Sequence, residues 1–497
     1  MRPIETLLLL ANLLTFFVLA VPRLHAVRWT GALVPIALLI AVVQVLVEGR
    51  RGQLVPAYAL TGLFCLVWLL PHIAPLGLRV NRLAVGLAVG LGLLGLLVSV
   101  ALPTLLPVFR FPQPSGPYAI GTTTYHWVDA ERREIFAADP QARRELMAQI
   151  WYPAKADPVA PRAPYSQDVA ALTSAFARLH RKPEFLFGNV QYATTHAIPS
   201  APVADGEPRY PVLLFLEGVT GFRQMNTFQV EELVSHGYIV VALDQPYTAA
   251  AVVFPDGRQA AGLSVEQLQP LIRASYIPAE QAPVLHGKAV EGGSIIPYLA
   301  QDVVFALDRL TALDRADPHG ILTGRLDLQR VGTFGVSLGG IVGGEACRLE
   351  PRVRACLVMD APMSTDVVRA GLKQPSMWIT RDAETMRLER QRAGGWPEAE
   401  ILAHRTTMRA VFERLPGDGY FVQVPEMFHS NLTDIPSWSP LWPVLGVAGP
   451  IDVRRAHGII NAYSLAFFDR HLQDQPATRF DGPIAHFPEV RFETRQP

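Results

Sequence analysis

The sequence predicts an α/β chain, with a mostly parallel sheet covered on both faces and about four membrane-spanning helices ahead of it. Three observations predict this. Four apolar runs fill the first 110 of the 497 residues, with their charges at the joints. Beyond a proline-rich joint, short apolar strands alternate with helical segments. One of those strands runs into a glycine-flanked serine and then a helix.

The apolar runs cover about 6–21, 32–47, 54–70 and 83–106, the second helix beginning near Trp29. A spanning helix needs about 20 mainly apolar residues, and membrane helices tolerate internal glycine and proline. Charge sits at the ends and gaps: Arg2 and Glu5, Arg23 and Arg28, Glu48 with Arg50 and Arg51, then Arg79 and Arg82. Four buried helices of a soluble domain would rarely place all their charge this way. A cleaved leader is the other reading of the first run, but VPRLHA is a poor small-residue cleavage site. Loop charge barely orients the spans, since Arg2, Arg50, Arg51 and Arg110 on one side face Arg23, Arg28, Arg79 and Arg82 on the other. The runs hold few polar residues, such as Asn12, Thr15, Gln44 and Thr61, so anchoring explains them better than an ion pathway. The expected organisation is a multi-pass membrane region over 1–110, a linker over 111–120 and a catalytic domain over 121–497.

Half the residues are apolar, and 44 basic residues balance 44 acidic ones. No basic block stands out, so nucleic-acid binding has no support. The three cysteines, Cys65, Cys347 and Cys356, form no metal-ligand spacing, and an odd count is no disulfide framework.

After Pro112, Pro114 and Pro117 the patterning becomes globular. Residues 122–128 and 146–151 read as an outer antiparallel pair. Residues 159–207 are irregular around the helical piece SQDVAALTSAFARLH. They read as an insertion that shapes a pocket or touches a membrane surface, or as a plain surface excursion. Then PVLLFLEG and YIVVALD read as buried strands, with a helix over 228–236 between them. A helix over 294–313 precedes the strands RVGTFGVS, VRACLVMD, PSMWIT and YFVQVPE, and a last helix covers 453–470. Apolar strands alternating with helices argue a parallel sheet covered on both faces. No G-x-G-x-x-G opens the first βα unit, so no dinucleotide site is expected.

Gly335-Val336-Ser337-Leu338-Gly339-Gly340 is the G-x-S-x-G pattern in its meaningful context, strand to tight turn to helix. Small neighbours relieve crowding at such a turn, and the helix N-terminus offers N–H groups to a developing oxyanion. Ser337 is therefore the candidate nucleophile. It needs a base, and the base needs an orienting acid. His429, in EMFHSNLTD after the last strand, is the candidate base. His236 reads as a cap or surface residue, and Asn431 and Asp434 read as loop-shaping or capping groups. Asp360 in LVMDAP and Asp382 in WITRDAET both end strands, and the residues alone do not choose between them. The backbone N–H groups of Leu338 and Val219, the latter in the Glu217–Phe222 loop, are the candidate oxyanion donors.

The blocks QIWYPA, YPVLLFLEGVTGFRQMNTFQVEELVSHGYIVVALDQPY, GVSLGG, LVMDAP and HSNLTD resemble the platelet-activating factor acetylhydrolases of the plasma, lipoprotein-associated type and their bacterial relatives. That family lies within the α/β-hydrolase superfamily, and the likeness runs from about 116 to 472. It implies Ser337 as nucleophile, His429 as base and Asp360 as acid, because the family places its acid 23 residues after the serine, as here. It also implies the Val219 and Leu338 donors. Where the family commonly has histidine before the glycine of the oxyanion loop, this chain has Glu217. A carboxylate there would weaken an oxyanion if it pointed inward, and would hold the loop if it faced away.

The resemblance implies cleavage of short sn-2 acyl esters of glycerophospholipids through an acyl-enzyme, with no cofactor or metal. The expected partners are an ester or phospholipid substrate and a membrane, with no nucleic acid. The expected location is a bacterial inner membrane with an extracytoplasmic hydrolase domain. A general carboxylesterase, dienelactone-hydrolase-like or polyesterase-like enzyme is the alternative; a non-catalytic membrane protein on the same fold, or a transporter with a soluble appendage, is a weaker one.

Overall fold

The computed structural model describes residues 1–21, 23–24, 30–73, 82–278, 282–290, 293–473 and 482–496. Trp29, Arg28 and Arg79, which entered the reading of the spans, lie outside the described residues. The chain forms two compact units. One comprises Met1–Phe109 with Pro183–Ala193 and Trp438–Leu441, and the other comprises the remainder.

The first unit is built on α1 (Pro3–Ala20), α2 (Leu33–Glu48), α3 (Val55–Ile73) and α4 (Arg82–Leu105). All four are long and apolar enough to cross a membrane, the make-up of a multi-pass membrane protein. Leu46, Leu83 and Leu97 point outward, where lipid rather than water is the matching solvent. Polar groups turn inward instead. Asn12 Nδ2 donates to the Ala57 carbonyl at 3.0 Å, and Thr61 Oγ1 donates to Asn12 Oδ1 at 2.8 Å. Glu5 lies buried within α1, where Arg51 Nη1 donates to both its oxygens at 2.9 Å.

Part of the irregular 159–207 stretch belongs to this unit. Asn189 Nδ2 donates to the Pro107 carbonyl at 2.8 Å and to the Trp438 carbonyl at 2.9 Å. Gln53 Nε2 donates to the Phe185 carbonyl at 2.8 Å, and Ser439 Oγ donates to the Leu105 carbonyl at 2.6 Å.

The second unit holds a ten-stranded sheet. Its elements begin with β1 (Ala119–Arg133), β2 (Arg143–Ala154), α5 (Val169–His180), β3 (Ala197–Pro199), β4 (Tyr210–Leu216), α6 (Thr227–Ser235) and β5 (Ile239–Asp244). Two hairpins follow, β6 (Ala251–Val253) with β7 (Gln259–Ala261) and β8 (Val284–Leu285) with β9 (Lys288–Ala289), the helix α7 (Val265–Arg273) lying between them in sequence. Then come α8 (Ile296–Arg315), β10 (Leu326–Val336), α9 (Leu338–Leu349), β11 (Val353–Met359), α10 (Thr365–Ala370) and β12 (Ser376–Thr380). The chain ends with α11 (Ala383–Ala393), α12 (Glu398–Phe412), β13 (Gly419–Gln423), α13 (Val453–Leu472) and β14 (Arg491–Arg495).

The strand order is β14-β13-β12-β11-β10-β4-β5-β2-β1-β3. Pairing is parallel from β13 through β5, and antiparallel at β5–β2, β2–β1 and β13–β14. The expected parallel sheet with an antiparallel outer pair is therefore present. Every residue of β4 and β5 is buried, which is why these strands read as unbroken apolar runs. Successive strand residues face opposite sides. A Cβ on Gly332 would meet Phe468 and Leu472 of α13, while Thr333 Oγ1 lies 3.1 Å from Cys347 of α9. The two helices thus cover opposite faces of β10.

Cys347 is disulfide-bonded to Cys356, joining α9 to β11, and Cys65 is free. The odd cysteine count conceals this pair because one cysteine sits in the membrane helices.

Candidate active site

Crowding shapes the turn between β10 and α9. A Cβ on Gly335 would lie 2.3 Å from the Gly339 carbonyl oxygen, and one on Gly339 would lie 2.0 Å from that of Leu216. Only glycine fits either place. Ser337 itself holds φ 57° and ψ −122°, a strained conformation for a residue with a side chain. Its N–H donates to the Met359 carbonyl at 3.0 Å, which ties the turn to the end of β11.

Asp360 is the first residue after that strand, with φ 47°, and its N–H donates to the Ile379 carbonyl at 2.9 Å. His429 opens a 3-10 turn after β13. Its Nδ1 lies 2.6 Å from Asp360 Oδ2. A carboxylate can only accept, so Nδ1 is the donor. Arg381 Nε also donates to Oδ2, at 2.8 Å, and Thr380 Oγ1 donates to Oδ1 at 3.1 Å. His404 Nε2 lies 3.3 Å from Oδ1. Burial alone would push the Asp360 carboxyl up. The Arg381 guanidinium and the two histidines overcome it and hold the group well below the usual carboxylate range.

Ser337 and His429 line one cavity of about 410 Å3, together with Val219 and Leu338. A Cβ on Gly218 would lie 3.2 Å from Ser337 Cβ, so the loop after β4 passes directly beside the serine. Among the described residues, neither the Val219 nor the Leu338 N–H donates to a protein acceptor.

Glu217 faces away from that cavity. It is buried, and its Oε1 accepts from the Gln245 N–H at 3.1 Å. Burial and the neighbouring Asp244 carboxylate push its carboxyl well above the usual range. It packs against Gly221, where an added Cβ would lie 3.1 Å from Glu217 Cβ.

The other sequence candidates are placed elsewhere. Asp382 caps α11, its Oδ1 accepting from the Thr385 N–H at 2.8 Å. His236 caps the C-terminus of α6. Asn431 Oδ1 accepts from the Phe428 and Gly449 N–H groups and shapes the histidine loop. Asp434 caps α6 rather than the turn after it, accepting from the Thr227 and Phe228 N–H groups. Sequence reasoning missed Arg381, His404 and Glu389, whose Oε1 accepts from the His429 N–H at 3.2 Å and which also pairs with Arg381. Arg381 directly follows β12, one residue before Asp382, so its place at the sheet edge was the available signal.

The fold and this constellation define a hydrolase of the α/β-hydrolase superfamily. Residues 106–485 match the profile of platelet-activating factor acetylhydrolase, isoform II, and the chain belongs to that family. It is 23% identical over 395 residues to a platelet-activating factor acetylhydrolase of Gallus gallus, covering 73% of this chain and 84% of that one. It is 23% identical over 428 residues to a probable 1-alkyl-2-acetylglycerophosphocholine esterase of Arthroderma benhamiae, covering 80% of this chain and 97% of that one. Among solved structures, a ferulic acid esterase from Streptomyces cinnamoneus aligns with a TM-score of 0.59 and 27% identity, over 78% of this chain and 99% of that one. The resemblance drawn from the sequence blocks is borne out.

Proposed function

We propose that this chain is a membrane-anchored serine carboxylic ester hydrolase that cleaves short sn-2 acyl esters of glycerophospholipids. The observation that carries the reading is the 2.6 Å contact between His429 and Asp360 beside a strained Ser337 in the same cavity. In this mechanism His429 takes the Ser337 proton as the hydroxyl attacks the ester carbonyl. Asp360 fixes the imidazole tautomer and stabilises its cation. The Val219 and Leu338 N–H groups receive the developing oxyanion. The protonated imidazole gives its proton to the departing alcohol. Water, activated by the same histidine, then releases the acid from the acyl-enzyme.

The phospholipid part of the proposal rests on the family and on the anchor over 1–110, with 111–120 as linker and 121–497 as the catalytic domain. Val444 and Leu445 stand exposed on the loop whose Val447 carbonyl accepts from Ser430, next to His429, which suits an amphiphilic substrate. The likeness to a ferulic acid esterase favours a second reading, an esterase of non-lipid esters. Fluorophosphonate labelling tests the serine. Wild type labels and Ser337→Ala does not; equal labelling ends the reading. A panel of short-chain sn-2 phospholipids against soluble p-nitrophenyl esters tests the substrate, and cleavage of the soluble esters alone sinks the phospholipid assignment.

We place the hydrolase part on the extracytoplasmic side of a bacterial inner membrane. The Cys347–Cys356 bond supports this, since disulfides persist in oxidising compartments. Protease digestion of spheroplasts before and after inner-membrane rupture tests it, and digestion only after rupture reverses the assignment.

A further inference from the structure

We propose that the cavity over Ser337 selects esters bearing a neutral hydrogen-bond donor away from the scissile bond, and that Glu400 reads that donor. This inference rests on the ester-hydrolase reading of Ser337, and not on the phospholipid assignment.

The cavity, at about 410 Å3, suits a small organic group. Val265, Ile272, Ile341 and Trp396 make much of its wall apolar. The Trp396 ring stands 5.4 Å from the His429 ring. One carboxylate interrupts this lining. Glu400, on α12, is only 4% exposed.

Its two oxygens are used unequally. Oε2 accepts from Gln269 Nε2 at 3.0 Å and lies 3.5 Å from the Tyr276 hydroxyl, which also donates to it. Oε1 has Arg273 Nε at 3.7 Å, an electrostatic neighbour beyond hydrogen-bond reach. Among the described residues no donor serves Oε1. A carboxylate offers about four acceptor positions, so Oε1 keeps capacity for a further donor from the cavity side. An incoming O–H or N–H would satisfy it. Gln269 and Tyr276 meanwhile fix the carboxylate plane, so the vacant acceptor keeps one direction.

The donor is neutral for two reasons. Arg273 already opposes the Glu400 charge, so a second cation would meet like charge. Stripping water from an ammonium also costs far more than stripping it from a hydroxyl. An anionic substituent would face Glu400 directly and be rejected. The expected class is therefore an ester with a hydroxyl on its acyl or its alcohol part, small enough for the cavity that Trp396 and Tyr276 help line.

The test uses the full chain in detergent or nanodiscs. On the acyl side, methyl 3-phenylpropanoate is compared with its para-hydroxy and para-carboxylate counterparts. On the alcohol side, phenyl acetate is compared with 4-hydroxyphenyl and 4-carboxyphenyl acetate. kcat/KM is measured for wild type, Glu400→Leu and Glu400→Gln. Dividing each wild-type ratio by the variant's cancels the intrinsic reactivity of the esters. We expect wild type to favour the hydroxylated ester about tenfold or more on one of the two sides, and to discriminate against the carboxylate. That preference falls to near one in Glu400→Leu. If Glu400→Leu does not fold, Glu400→Gln serves, since its amide fills the same volume with only a neutral acceptor; there the discrimination against carboxylate is lost. Hydrolysis of the panel with no hydroxyl preference in wild type, with that preference unchanged in folded Glu400→Leu, or with the carboxylate discrimination unchanged in Glu400→Gln, overturns the proposal and leaves the esterase standing. No hydrolysis together with no fluorophosphonate labelling overturns both.

Discussion

Two buried carboxylates flank Ser337, and they differ in what surrounds them. Asp360 ends β11 with an arginine and two histidines around it. Glu217 follows β4 with one backbone N–H on one oxygen, no hydrogen-bond partner for the other among the described residues, and the Asp244 carboxylate nearby. Burial penalises charge in both. Counter-charge from Arg381 and His404 then pulls the Asp360 carboxyl well below the usual range, while at Glu217 burial and the Asp244 carboxylate outweigh the opposing Arg144 cation and push the carboxyl up. The lesson is that an acid beside an oxyanion loop need not oppose the oxyanion. Glu217 turns away from the cavity, and its surroundings raise its carboxyl rather than lower it, so it holds the loop without facing the serine.

Breaking the charged side should have the largest effect. Asp360→Asn is expected to lower kcat/KM about 10⁴-fold, because the imidazole loses the acceptor that fixes its tautomer. A loss under tenfold would assign the orienting role elsewhere. Next comes Arg381→Met, which leaves a buried carboxylate without its cation and should destabilise the fold by about 3–5 kcal/mol in denaturant titration. It should also raise the pH at which stability fails on the acid side. A depressed carboxyl contributes stability above its unfolded value that is lost as pH falls through the folded one. Raising the folded value brings that loss to higher pH.

The smallest effect belongs to the neutral side. Glu217→Gln keeps the shape of the protonated acid and should change kcat/KM less than about fivefold, or about 1 kcal/mol. Its signature is in pH instead. A raised carboxyl contributes stability below its unfolded value, and this is lost as pH rises through the folded value. The glutamine cannot ionise, so its stability relative to wild type should climb as pH rises above about 4.5. A flat difference would show that Glu217 is already ionised across that range.

The sequence carried much of the fold for a physical reason. Strands buried on both faces, such as β4, have no choice but continuous apolar residues, and lipid-facing helices have none either. The edge strand β14, RFETR, was illegible because it is largely exposed and its residues carry no burial signal. Helices α11 and α12 were missed for a similar reason, with charged outer faces and a Gly394-Gly395 break between them. Ser337 was legible because its turn forces glycines into fixed places. The choice between Asp360 and Asp382 was not, since both end strands; what separates them is three-dimensional. Arg381, His404 and His429 converge on Asp360, and Asp382 turns back to cap its own helix. Glu400 lies on a helix far along the chain from Gln269 and Tyr276, and no local pattern joins them.

The helical unit contains two short pieces from deep within the later sequence, Pro183–Ala193 and Trp438–Leu441. The backbone therefore passes between the units five times, and the proline-rich stretch near Pro112 is only the first crossing. Cutting the peptide there leaves Asn189 still bonded to the Pro107 carbonyl and Ser439 to that of Leu105. A nicked protein should then co-purify as one particle in mild detergent, and part into two fragments only when denatured. What looks from the sequence like a single leash is, by connectivity, five passages of backbone.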